Sequence, residues 1–139
     1  MRIDTSSEFG ARADRRLREE QIYWLVTTGP DGAPQPIPVW ALWDGETFLI
    51  YSKVGTPKLR NIAARPTVAV HLDGDGRGGD IIIVPGDARI VPDAPPADRV
   101  EAYLAKYRDG IRRIGMTPES FARTYAVALR VTPRALRGH

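Results

Sequence analysis

Cysteine is absent from the 139 residues, which excludes disulfides, a thiol nucleophile and thiolate metal sites. Histidine is nearly absent: His71 and His139 are the only two, too few for a histidine-rich metal centre, so no metal ligands are assigned. A catalytic triad would need His71 as its base, yet no Gly-x-Ser-x-Gly elbow accompanies it. His71 falls in a β-type run and is expected to be structural. No apolar run approaches the roughly 20 residues needed to cross a bilayer. Met1 to Glu20 is polar and charged, without the apolar segment of a signal peptide. A cytoplasmic protein with no membrane partner is expected. Lysine is scarce as well. Lys53, Lys58 and Lys106 stand alone beside arginine, which supplies the rest of the 20 basic residues against 17 acidic ones. Those charges are dispersed and interleaved, and no nucleic-acid-binding motif appears, so nucleic acid is not an expected partner.

What is present fits a single globular domain over residues 1–139. Apolar content is 42% and charged content 27%, ordinary for such a domain, and no repeat or long linker divides the chain. Thr5-Ser-Ser-Glu8 forms a capping-box pattern that opens a helix to about Gln21, with Phe9, Ala13 and Leu17 as a thin apolar stripe. Such a helix is expected on the outside of the body. Ile22 to Thr28 is rich in β-formers and reads as a buried strand. Pro30-Asp-Gly32 marks a turn into a second strand, Pro36 to Trp43. Pro34, Pro36 and Pro38 place that strand at an edge or barrel rim, because proline cannot donate to a ladder on both sides. A third strand, Thr47 to Ser52, follows the Asp44-Gly45 turn.

Further strands are expected at Thr67 to Leu72, Asp80 to Val84, Asp87 to Val91 and Tyr125 to Val131, the middle two as a hairpin around Pro85-Gly86. The glycine-rich run Asp73 to Gly79 lacks the Gly-Lys-Ser/Thr of a phosphate loop and is expected to be a long connection. Helices are expected at Pro57 to about Ala64, from Pro96 to about Tyr107, and after Thr117-Pro118. Residues 132–139 read as a tail. About seven strands joined mainly by tight turns must be antiparallel, which excludes a Rossmann sheet. The predicted fold is mainly β, a small barrel with peripheral helices.

One stretch carries chemistry. At Tyr51 to Asn61 a strand ends and a helix begins, with Thr56 as N-cap and Pro57 at the first helical position. Lys53, Lys58 and Arg60 surround that helix start. Free N–H groups, the positive end of a helix dipole and clustered cations suit a phosphate; a capped helix with solvated cations is the alternative.

The order of several motifs now becomes specific: Pro38-Val-Trp40, Ser52 to Asn61 with Lys-x-Arg-Asn at its end, Asn61 to Val70, Gly78-Gly-Asp80, and Ile114 to Pro133. Together they resemble the pyridoxamine 5′-phosphate oxidase-like, FMN-binding split β-barrel superfamily, and within it the actinobacterial branch that uses the deazaflavin coenzyme F420. The resemblance implies a homodimer with the cofactor held between subunits. It implies that Lys58 and Asn61 meet the cofactor phosphate, with Thr56 and Ser52 beside them. Thr56 stands where relatives carry a cation, which leaves FMN open as the alternative cofactor. Pro38, Val39 and Trp40 are implied to line the tricyclic ring, and Lys53, Arg60 and Arg65 to face the polyglutamate tail. The implied activity is hydride transfer from reduced F420 to a small conjugated acceptor, with no catalytic residue identified; Tyr51, Tyr107 or solvent would supply any proton. A non-catalytic flavin, deazaflavin or haem binder is the other reading of the same fold. Trp24, Trp40 and Trp43 are candidates for a dimer core, Trp24 being expected inside its own barrel.

Overall fold

The computed structural model describes all residues from Met1 to His139. In chain order the elements are α1 (Glu8–Glu19), β1 (Tyr23–Thr28), β2 (Pro34–Val39), β3 (Leu42–Trp43), β4 (Phe48–Ser52), α2 (Pro57–Ala64), β5 (Thr67–His71), β6 (Ile82–Ile90), a 3-10 turn (Ala97–Arg99), α3 (Glu101–Arg113), α4 (Pro118–Thr124), β7 (Val127–Pro133) and β8 (Arg137–Gly138). No helix is long and apolar enough to cross a membrane.

Every strand pairing is antiparallel, in the order β2-β1-β5-β6-β7-β4-β3, with β8 added to β6. The two ends of this order are consecutive in sequence. β2 ends at Val39 and β3 begins at Leu42, yet they do not pair. The sheet therefore curls back on itself and leaves a seam at Trp40-Ala41: a split barrel, as expected. The prolines do what their chemistry requires. Pro34, Pro36 and Pro38 lie on β2, which is hydrogen-bonded only to β1, so their missing N–H groups weaken no second ladder.

Alternating residues fill the barrel. Tyr23, Leu25, Phe48, Ile50, Val70, Val84, Leu129 and Val131 are buried there, together with Ala13 and Leu17 of α1. The first helix thus lies on the outside of the barrel, as expected, and turns its apolar stripe into the core. Its cap shifts: Ser7, not Thr5, is the N-cap, and its Oγ accepts from the Gly10 N–H at 3.0 Å.

β4 is buried on both faces, which its unbroken apolar sequence requires. Phe48 and Ile50 enter the barrel, whereas Leu49 and Tyr51 turn outward to a second cluster with Tyr103, Tyr107, Ile111 and Phe121 of α3 and α4. That second cluster is an aromatic annex on the outer side of the barrel wall.

Five further expectations change. Residues 82–90 form one strand, not a hairpin. The Pro85 carbonyl accepts from the Arg134 N–H at 2.8 Å, so its absent N–H would face the same side, between the β8 pairing at 82–83 and the β7 pairing at 86–90. Gly86 lets β7 approach: a Cβ there would lie 2.5 Å from the Thr132 carbonyl oxygen. The second strand breaks at the seam instead of running to Trp43. Helix α3 continues past Tyr107 to Arg113, burying Ile111. The expected tail is ordered, with β7 reaching Pro133 and β8 zipped to β6. Trp24 lies on the outer face, stacked on His71 and donating from Nε1 to Asp73 at 3.0 Å; Trp43 is the tryptophan inside the barrel.

Candidate functional site

The seam needs help from outside, because Trp40 and Ala41 have no strand partner. Helix α3 supplies it. The Tyr107 hydroxyl accepts from the Ala41 N–H at 2.9 Å and lies within hydrogen-bonding reach of the carbonyls of Gln21 and Ala41. Lys106 Nζ donates to the Ala41 carbonyl at 3.0 Å and also to the Tyr23 hydroxyl. Backbone groups this deeply buried are costly when unpaired, so these two side chains hold the split barrel in shape. Tyr107 is accordingly a structural post. Its hydroxyl is fully engaged, and burial raises its pKa.

Above this post opens a cavity of about 310 Å³, at the lower end of small-molecule sites. Pro38, Val39 and Trp40 come to it from the end of β2 and the seam, Tyr51 from β4, and Tyr103, Phe121 and Tyr125 from the α3–α4 side. The walls are stacked rings. Trp40 lies parallel to Tyr107 at 4.7 Å and to Phe121 at 5.6 Å, and Phe121 to Tyr125 at 4.5 Å. Gly110 permits this, since a Cβ there would come within 3.1 Å of the Trp40 indole.

Lys58 is the only charged residue in the lining. It is half-buried, and burial, reinforced by the like charge of Lys53, holds its ammonium below the usual lysine range. An anion at that point would offset both effects. Lys53, Lys58 and Arg60 take part in no ion pair within the protein. Tyr51 donates to the Pro95 carbonyl at 2.7 Å, and burial pushes its pKa up to about 12. It is a neutral phenol at physiological pH.

The residues anticipated around the cofactor separate into two groups. Pro38, Val39, Trp40 and Lys58 converge on the cavity. Arg60, Asn61 and Arg65 line a polar hollow on another face of α2. Asn61 is buried, and its amide donates to Thr27 Oγ1 and Gln35 Oε1, both at 2.9 Å. Arg65 donates to the Thr28 carbonyl at 2.8 Å. Arg60 donates to the Gly55 carbonyl at 2.7 Å, and Lys53 lies 5.5 Å over the Tyr125 ring.

Thr56 is the N-cap in backbone terms but makes no side-chain cap. Ser52 Oγ donates to the Lys53 carbonyl, so the 3.0 Å contact between the two hydroxyls is a donation from Thr56 to Ser52. The helix start is also poorer in donors than its sequence suggests. Pro57 has no N–H, and the N–H groups of Leu59 and Arg60 turn onto the Thr56 carbonyl, leaving that of Lys58 free in the first turn. Sequence reasoning missed Tyr103, Phe121 and Tyr125. Their signal is the aromatic spacing of four residues in successive helices, Tyr103/Tyr107 and Phe121/Tyr125.

The family model for pyridoxamine 5′-phosphate oxidase matches residues 9–139. The chain belongs to the pyridoxamine 5′-phosphate oxidase family. Among solved structures, an F420 reductase is 28% identical, with 89% of this chain and 94% of that one covered and a TM-score of 0.68. A conserved hypothetical protein of Mycobacterium tuberculosis is 27% identical over 94% of this chain and 82% of its own, with a TM-score of 0.70. The haem storage protein of Vibrio cholerae is 14% identical, covering 99% of this chain and 95% of its own at a TM-score of 0.60; that likeness concerns the fold alone. No curated protein matches the sequence.

Proposed function

We propose that this protein is an F420-dependent reductase of small conjugated molecules, acting as a homodimer. The observation that carries the reading is the aromatic-walled cavity with one unpaired lysine, in a chain similar over most of its length to an F420 reductase. The residues fit such a group. Flat stacked walls suit a tricyclic ring, and a half-buried cation with no acidic partner suits a phosphate. Lys53 and Arg60, exposed and without ion pairs, suit the carboxylates of a polyglutamate tail.

When bound, the reduced deazaflavin supplies a hydride, the difficult part of the chemistry. The protein's own share is position and field. Trp40 and Phe121 orient a planar molecule, and Tyr51 remains protonated. Lys58 neutralises an anionic edge, and the apolar walls keep water away. Exposed Ile22 and Ile114 belong to the cavity lining and Ile37 lies on the edge strand, which supports coverage of this face by a second subunit. Neither histidine lines the cavity, so a haem there would lack an imidazole ligand.

The test is a side-by-side titration of the purified protein with oxidised F420 and with FMN, followed by fluorescence quenching or calorimetry. Micromolar binding of F420 alone, about −8 kcal/mol, is the expected result. Preference for FMN would reassign the protein as a flavin oxidoreductase. F420 binding without turnover of any acceptor would make it a carrier. Sedimentation of the same sample checks the dimer.

A further inference from the structure

One buried side-chain polar atom in the molecule has no hydrogen-bond partner within the protein: the Tyr103 hydroxyl. The hydroxyls of the two tyrosines packed against it are engaged elsewhere. Tyr107 serves the seam, and Tyr51 donates to the Pro95 carbonyl. Tyr103 is fully buried, yet it forms part of the cavity wall. Its ring is held by Tyr51 and Tyr107, each at 5.0 Å, and by Phe121 at 6.0 Å. Phenylalanine would pack the same site without leaving a donor unpaired, and an unpaired buried donor costs stability. The hydroxyl is buried, and of the three principal cavities only this aromatic-walled one is lined by Tyr103, so a partner would come from that side.

We propose that Tyr103 is a specificity-determining residue of the cavity, its hydroxyl donating a hydrogen bond to a carbonyl-type oxygen of a planar conjugated molecule bound there. This rests on reading the cavity as the small-molecule site and deepens it by naming the ligand class. Burial raises the phenol pKa, with the neighbouring tyrosines adding to the effect, so the group is a donor across the physiological range. Its apolar surroundings strengthen the bond once formed. They also penalise any ligand that offers no acceptor, because the hydroxyl then stays unpaired. Lys58 complements it as the cationic point of the same lining.

The experiment uses two bicyclic probes, 2-quinolone and naphthalene, similar in size but differing in the carbonyl. Neither is a cofactor, so the outcome is independent of whether F420 binds. Wild-type protein is expected to bind 2-quinolone more tightly than naphthalene. Tyr103→Phe is expected to weaken 2-quinolone binding on the order of tenfold and to leave naphthalene unchanged. Difference infrared spectra should show the bound quinolone carbonyl stretch lowered by the wild type and returned upward in the variant. The ligand-free variant should melt no lower than the wild type, because it has lost only an unpaired hydroxyl. Absence of a carbonyl preference in the wild type, equal loss for both probes, or an unshifted carbonyl stretch would each overturn the assignment.

Discussion

The barrel interior and the aromatic annex share one wall, strand β4, and differ in almost everything else. The interior is mostly aliphatic, with its few polar groups paired: Tyr23 to Leu17, Trp43 to Asp14 and Thr27 to Asn61. The annex is built from rings, contains the cavity and holds the one buried hydroxyl without a partner. Both regions are buried, but they answer to different demands. The interior has the composition of a core that only needs to be stable. The annex sacrifices packing and hydrogen bonding beside the cavity.

Substitutions can break this contrast. The largest effect is expected from Ile50→Ala in the barrel, a loss of about 2–5 kcal/mol in denaturant unfolding from the cavity left behind, with the annex unable to compensate. Next is Tyr107→Phe, which strips the buried Ala41 N–H of its acceptor and should cost about 1–3 kcal/mol. Set against Tyr103→Phe four residues away, one helix would then carry a tyrosine whose hydroxyl is needed for folding and another whose hydroxyl is not. A comparable fall in melting temperature for both would erase the distinction. Lys58→Ala should weaken F420 binding by about 1–3 kcal/mol, the loss of a charge-assisted contact, while unfolding in the absence of ligand changes little. Unchanged affinity in the titration would remove Lys58 from the site.

The last effect is in pH. Burial lowers the Lys106 ammonium to about 8, below the roughly 10.4 of an unfolded chain. Below pH 8 both states carry the proton, and the cost of burying the charge is fully present. Between about 8 and 10 the unfolded chain holds a proton that the folded one has released, so stability rises with pH across that window. Above about 10 the buried tyrosines reverse the trend, because burial raises the pKa of Tyr23, Tyr103 and Tyr107 and the unfolded chain deprotonates first. A melting-temperature series from pH 7 to 10 should show the rise, and Lys106→Met should flatten it.

Much of the barrel was legible in the sequence, because its signals are local. A run of β-formers marks β1, proline spacing places β2 at an edge, and Thr-Pro openings start α2 and α4, where Thr117 completes a capping box with Ser120. The failures fall where tertiary pairing overrides a local signal. Pro85-Gly86 has turn chemistry, but the gap between β8 and β7 absorbs the missing N–H and the close approach of Thr132 favours the glycine. Trp24 has the hydrophobicity of a core residue, yet its position in the β1 alternation puts it outside. At the site, Lys58 and Trp40 were reachable from motifs. The unpaired state of the Tyr103 hydroxyl was not, since a missing hydrogen bond exists only once every neighbour has been placed.

Gly110 has one further consequence. A glycine inside a helix costs about 1 kcal/mol relative to alanine, and α3 accepts one where the Trp40 indole lies 3.1 Å from the position a methyl would occupy. The width of the cavity is therefore tuned from beneath, by an atom that is not there. Exchange of this one residue for alanine would firm the helix and lift the indole by a few tenths of an ångström. In this way a family of such proteins could change the thickness of the molecules it admits without altering any group that touches them.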